Sequence, residues 1–146
     1  MKKRSDDQQP FMSPPDFGHS LTGMSLNLLV TDMERAVQFA RDVLHAELRY
    51  ADPDIAIVVK NGLQWMLHAD HTYDKHPLLP VVQGASVRGA GLEIRVHRGD
   101  PDQAAQDAEA SGFTVLDGPR DQPDHGLREV HIADQDGYVW VVDQSI

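Results

Sequence analysis

Residues 61–68 read NGLQWMLH and residues 136–143 read DGYVWVVD. Each stretch opens on a turn residue followed by Gly. Each sets a Trp four positions after that turn residue, Trp65 and Trp140, within an apolar strand-like run. A phrase written twice in so short a chain points to a repeated module, so the residues upstream of each copy decide the fold.

Upstream of the first copy, SLNLLV (25–30) alternates. Leu26, Leu28 and Val30 fall on one face; Ser25, Asn27 and Leu29 fall on the other. TDMERAVQFARDVL (31–44) opens with Thr31 and Glu34 at the S/T-x-x-E spacing of a capping box. Met33, Ala36, Val37, Ala40, Val43 and Leu44 then make one apolar stripe at helical spacing. ELRYAD (47–52) reads as a strand. IAIVVK and LQWMLH read as two more, joined by Asn61-Gly62, a strong short hairpin signal.

The second copy has the same run-up. LEIRV (92–96) places Leu92, Ile94 and Val96 on one face. Asp100 caps a helix with Pro101 at its first position and Gln103 at the box position, and Gly112 stops it. FTVL, LREVHIA and YVWVVD supply three further strands. Leu26–Val30 thus aligns with Leu92–Val96, and residues 63–67 with 138–142. The reading is an α+β fold of two paired β-α-β-β-β modules forming one domain over residues 23–146. The modules cover about 23–70 and 90–146, with a connector over 71–89. Residues 1–22, with Pro10, Pro14 and Pro15 among Ser, Asp and Gln, read as a flexible N-terminal arm. The alternative is an arm that packs on a partner subunit through Phe11 and Phe17.

Each helix should cover the face of its sheet to which the apolar positions point. Leu26, Leu28, Val30, Trp65, Leu67, Leu92, Ile94, Val96, Trp140 and Val142 are expected in the core. The other face stays open and becomes the wall of a cleft. Alternation assigns Ser25, Asn27, Leu29, Gln64, Met66 and His68 to that face in the first module. In the second it assigns Glu93, Arg95, Glu129, His131, Val139, Val141 and Asp143. An apolar floor with polar handles suits a small-molecule site. His131 and Glu129, two residues apart on one strand face, are the candidate acid–base pair. His71 and His76 fall in the loop after His68 and read as solvated.

Composition narrows the function classes. The chain has 146 residues and a formal net charge of −10. An acidic surface disfavours nucleic acid and anionic membrane as partners, since both need clustered Lys and Arg. There is no Cys, which removes disulfides, thiolate metal sites and a Cys nucleophile. The N-terminus starts with basic residues but lacks the apolar segment of a signal peptide. A cytoplasmic location is the expectation.

Paired modules of this kind resemble the vicinal oxygen chelate superfamily, which includes glyoxalase I, extradiol dioxygenases, and fosfomycin and bleomycin resistance proteins. LVTDMERAVQFARDVLHAEL (29–48) is similar to the family's first strand and helix, with Ala40 where an aromatic is usual and His45 where Gly is usual. GLREVHIADQDGYVWVV (126–142) is similar to its closing hairpin, with DQDG for the usual DPDG. The family's metal enzymes draw His, Glu, Gln or Tyr from the first and last strand of each module. Carried onto this chain, those slots fall at Ser25, Met66, Gly91 and Val141, which supply no strong ligand set. The resemblance therefore implies a metal-free protein that binds or sequesters a small organic ligand, and a homodimer. The alternative is a lyase, isomerase or dioxygenase of the same superfamily, using the His131/Glu129 pair or a metal displaced onto His68, Glu93 and His131.

Overall fold

The computed structural model describes residues 11–146; residues 1–10, with Pro10 of the expected arm, lie outside the described residues. Two four-stranded sheets carry the repeat. The first joins β1 (Leu26–Val30), β4 (Leu63–Ala69), β3 (Ile55–Lys60) and β2 (Glu47–Ala51) in that order. The second joins β5 (Glu93–His97), β8 (Val139–Ser145), β7 (Leu127–Ala133) and β6 (Thr114–Gln122). In each sheet the first strand runs parallel to the last strand and the remaining pairs are antiparallel. Asn61 and Gly62 take φ of +50° and +79° between β3 and β4. A two-residue hairpin needs that left-handed pair to match the strand twist.

Within the arm expected over residues 1–22, Pro14–Ser20 forms a short helix, α1, whose N-terminus is capped by the Ser13 hydroxyl. Phe11 packs on Phe17 and on Tyr50 of the same chain, at 5.9 and 5.7 Å between ring centroids.

The two module helices follow their apolar stripes. α2 (Met33–Gln38) is capped by Asp32, whose carboxylate accepts from the Arg35 N–H at 3.1 Å. The expected cap, Thr31, is committed elsewhere: its hydroxyl donates to Asp136 at 2.7 Å. The helix runs on as a π-helical turn, Phe39–Val43, and ends at His45 with φ +49°. That is the left-handed position at which the resemblance has Gly. α4 (Pro101–Ala110) begins at Asp100, which accepts from the Gln103 N–H at 3.0 Å, and stops before Gly112 at φ +75°.

The strand phase is as alternation gives it. Leu28, Val30, Trp65, Leu67, Val96, Trp140 and Val142 are buried. Ile94 is half-buried against the core, and Leu26 and Leu92 are 37% and 41% exposed. Leu92 precedes β5, just after Gly91 at φ +82°, and Leu26 starts an edge strand.

The helix-covered faces of both sheets share one core. The Trp65 and Trp140 rings lie 5.5 Å apart, and Phe39 sits 5.8 Å from Trp140 and 4.9 Å from Phe113. Because strand side chains alternate, the open faces both point out of this shared core. Among the described residues no hydrogen bond joins one open face to the other.

The connector region carries a 3-10 turn (Asp70–Thr72), a short helix α3 (Leu79–Val82) and a buried ionic node. Arg88, 1% exposed, donates to both Asp70 carboxylate oxygens at 2.8 Å and to the Leu29 carbonyl at 3.0 Å. Its Nε lies 3.7 Å from Asp136. Asp136 also accepts from Thr31, so the LVTD and DQDG segments meet here and fix one module on the other. Gly137, at φ +78°, passes so close that a Cβ would lie 2.8 Å from the Ser86 carbonyl. Replacing it with Ala should cost a few kcal/mol, from backbone strain plus this clash. A thermal melt unchanged in the Gly137→Ala protein would refute the close approach.

Candidate functional site

The ladder register corrects one alignment. Leu26 faces Trp65 and Ile94 faces Trp140. Leu26 therefore corresponds to Ile94, two residues beyond the expected partner Leu92. The counterpart of Ser25 is Glu93, and Gly91 lies outside the strand.

On the open face of the second module, Arg95, Val141 and His131 form one row across three strands, and His97, Asp143 and Glu129 form the next. Arg95 is the hub. Its guanidinium donates to Glu129, to Asp143 at 3.2 Å and to Glu93 at 3.4 Å. Burial works against its charge, but the Glu129 and Asp143 carboxylates outweigh it and hold the guanidinium protonated. His97 Nδ1 lies 2.9 Å from Asp143. His131 pairs with Glu93, Nε2 to Oε1 at 3.2 Å, not with Glu129. Any acid–base dyad is thus His131 with Glu93, because Glu129 is occupied by Arg95. Val141 is fully buried and forms floor beneath these groups.

On the open face of the first module the rows around His68 carry no charged side chain, and Arg49 reaches the face at Gln64, at 3.1 Å. Asn27, Met66 and Ile57 share a row, followed by Leu29, His68 and Ile55. Tyr73 from the connector meets His68 edge to face, and His76 meets Tyr73 the same way, with ring centroids 4.8 and 4.5 Å apart. His71 turns away to Asp54, at 2.8 Å. The connector contribution of Tyr73 was invisible in the sequence, since nothing in a Pro- and Gly-rich loop signals an aromatic folded back on the sheet.

Burial, aided by repulsion from His76, holds the His68 imidazole down at about 4 from its usual 6.5. The ring is neutral at pH 7. Its Nδ1–H donates to Asn27 Oδ1 at 2.5 Å, which leaves Nε2 as an acceptor. The unfolded chain binds a proton near 6.5 that the folded ring refuses until about 4, so its stabilisation stands above pH 6.5 and is lost as pH falls through about 4. Asp134 acts oppositely: burial lifts it to about 6 from 3.8, so its stabilisation is lost as pH rises through that window. The difference in urea midpoint between the His68→Gln protein and the parent should therefore change steeply between about pH 6.5 and 4. A difference flat across that range would refute the buried neutral imidazole.

Ser25 and Gln64 sit apart from both clusters. With Arg95 they line a cavity where the two modules meet.

The donor set does not fit a divalent metal. The corrected slots are Ser25, Met66, Glu93 and Val141, with one carboxylate among them, whereas a catalytic Zn site takes three protein ligands. Glu129 and Asp143 are engaged by Arg95, which occupies the carboxylate oxygens a metal would need. Among the described residues no three His, Asp or Glu side chains are grouped to hold an ion.

Comparison with known proteins agrees with the fold. The sequence pattern of the Glyoxalase/Bleomycin resistance protein/Dioxygenase superfamily matches residues 24–142. No curated protein matches the sequence. Similar solved structures include a hypothetical protein from S. aureus, at TM-score 0.67 and 17% identity over 88% of this chain and 98% of that one. A glyoxalase/bleomycin resistance protein/dioxygenase from Nocardioides has TM-score 0.61 and 20% identity over 90% and 91%. Fosfomycin resistance protein FosX from Mesorhizobium loti has TM-score 0.61 and 15% identity over 86% and 92%. The matched pattern spans both modules, including the Thr31–Asp136 junction between them, and the chain belongs to the glyoxalase/bleomycin resistance protein/dioxygenase superfamily.

Proposed function

We propose that the protein binds a small organic molecule on its open sheet faces without a resident metal, and that two copies complete the site. The carrying observation is the Arg95 hub: the carboxylates of Glu93, Glu129 and Asp143 surround one guanidinium, in a place where a metal enzyme would gather ligands. Three carboxylates against one cation leave that face net negative, which favours a ligand bearing a basic group. The uncharged rows around His68 on the first-module face, with Met66 and the Nε2 acceptor of His68, suit its flat or apolar part.

Pairing follows from the outward direction of both open faces. A second copy can lay its first-module face against the second-module face of its partner, forming a cleft between them. Open sheet edges, which otherwise invite aggregation, are a second physical reason for copies to pair. No helix among the described residues is long and apolar enough to cross a membrane, and a cytoplasmic location remains part of the proposal.

The test uses a panel of aromatic amines beside the matching carboxylic acids, read by thermal shift. A ligand at a hundred times its Kd adds about 2.7 kcal/mol. We expect stabilisation by amines, lost in both His68→Ala and His131→Ala. Dimers mixed from those two variants regain a fully wild-type site, because one cleft takes its intact halves from different chains. Mixed dimers as dead as their parents would refute the shared cleft. The second reading, a lyase or isomerase, draws on the His131–Glu93 contact and predicts turnover abolished by His131→Ala.

A further inference from the structure

The junction between the modules holds a cavity of about 600 Å³ that meets the open-face site only at Ser25, Gln64, Arg95 and His97. Its floor is apolar, built from Leu26, Trp65, Ile94, Val96 and Trp140. Ser25, Asn61 and Gln64 line its polar wall together with Lys60, His97, Arg98 and Arg95, and no carboxylate does. The chain as a whole has 23 acidic residues against 13 basic ones, so a lining with cations and no acid is a local reversal of its charge. Arg95 is neutralised from the sheet side by Glu129 and Asp143. Lys60 and Arg98 are not: Lys60 Nζ meets only the His45 carbonyl, at 3.2 Å, and Arg98 has no ion-pair partner among the described residues. At the mouth, Met24 and Leu63 are 93% and 69% exposed, apolar surface that the protein alone leaves in water.

We infer that this cavity binds a small organic anion with an apolar body. Its carboxylate sits between Lys60 and Arg98, and its body lies over Trp65 and Trp140 under the Met24 and Leu63 side chains. The volume falls in the range of small-molecule pockets. Desolvation at the apolar floor strengthens the charge contact at the rim. The cavity reverses the preference proposed for the open faces, which favour a basic group.

Trp65 and Trp140 are the two tryptophans of the chain, so their emission reports occupancy directly. Octanoate is the probe, octylamine its charge-reversed control, and calorimetry the second readout. Octanoate should shift the emission saturably and bind at least about tenfold tighter than octylamine, ~1.4 kcal/mol. The double variant Lys60→Glu/Arg98→Glu gives up the Lys60 hydrogen bond to the His45 carbonyl, should still melt cooperatively within a few degrees of the parent, and should invert that preference. His131→Ala should leave octanoate binding unchanged, which separates this site from the open-face site. Octylamine binding as tightly as octanoate, octanoate affinity unchanged in the double variant, or no saturable response to octanoate would each overturn the inference.

Discussion

Arg88→Ala is expected to lower the unfolding free energy by about 3–5 kcal/mol, the size seen when one partner of a buried ion pair is removed. Arg88 is 1% exposed and Asp136, beside it, 3%. Truncation would strand the Asp136 carboxylate with Thr31 and Gln135 as remaining donors and leave the Leu29 carbonyl with Tyr138 alone. The node ties the connector to both modules, so the loss should be global. Urea unfolding followed by circular dichroism measures it. Asp136→Asn in the Arg88→Ala background should recover part of the loss, since it removes the uncompensated charge. A cost below about 1 kcal/mol would class the node with screened surface pairs and refute its role as the joint.

Phe39→Ala should cost a similar amount, about 3–5 kcal/mol, as for other buried aromatic truncations. The ring is 2% exposed and touches Phe113 and Trp140 of the other module. Cavity formation here weakens both modules at once, because they share a single core. Tryptophan emission and far-ultraviolet dichroism should therefore still unfold together in one shifted transition. Two separated transitions would mean that each module is stable alone and that the shared core contributes little.

The sequence made the repeat legible because both copies carry strong, local signals: alternation, Asn61-Gly62, and the Asp100-Pro101 helix start. These depend on nearest-neighbour physics, and the strands and helices formed where they point. The two-residue slip between Leu26 and Leu92 had a different cause. Both strands read as alternating apolar runs that open on Leu, and only the ladder to Trp65 and Trp140 fixes which residues correspond. Arg88 was missed for lack of any local mark. Its partners Asp70 and Asp136 lie 18 and 48 residues away, and a lone Arg in a Pro- and Gly-rich loop reads as solvated. Alternation also could not say that His131 takes Glu93 as partner, since both Glu93 and Glu129 share its face. The direction of the open faces depends on Phe39, Phe113 and the two tryptophans meeting across modules, a contact no single segment encodes.

The proposal stands or falls on chemistry without a resident metal. The decisive measurement is elemental analysis of untagged protein, purified without chelator and then equilibrated with Zn, Mn, Ni and Fe(II) before exhaustive exchange. The residues at the four slots, Ser25, Met66, Glu93 and Val141, and the guanidinium at the hub predict far less than stoichiometric metal and no gain in melting temperature. Metal retained in equimolar amount, and lost on replacing Glu93 or His131 with Ala, would contradict the account and make the protein a metal enzyme with a displaced site.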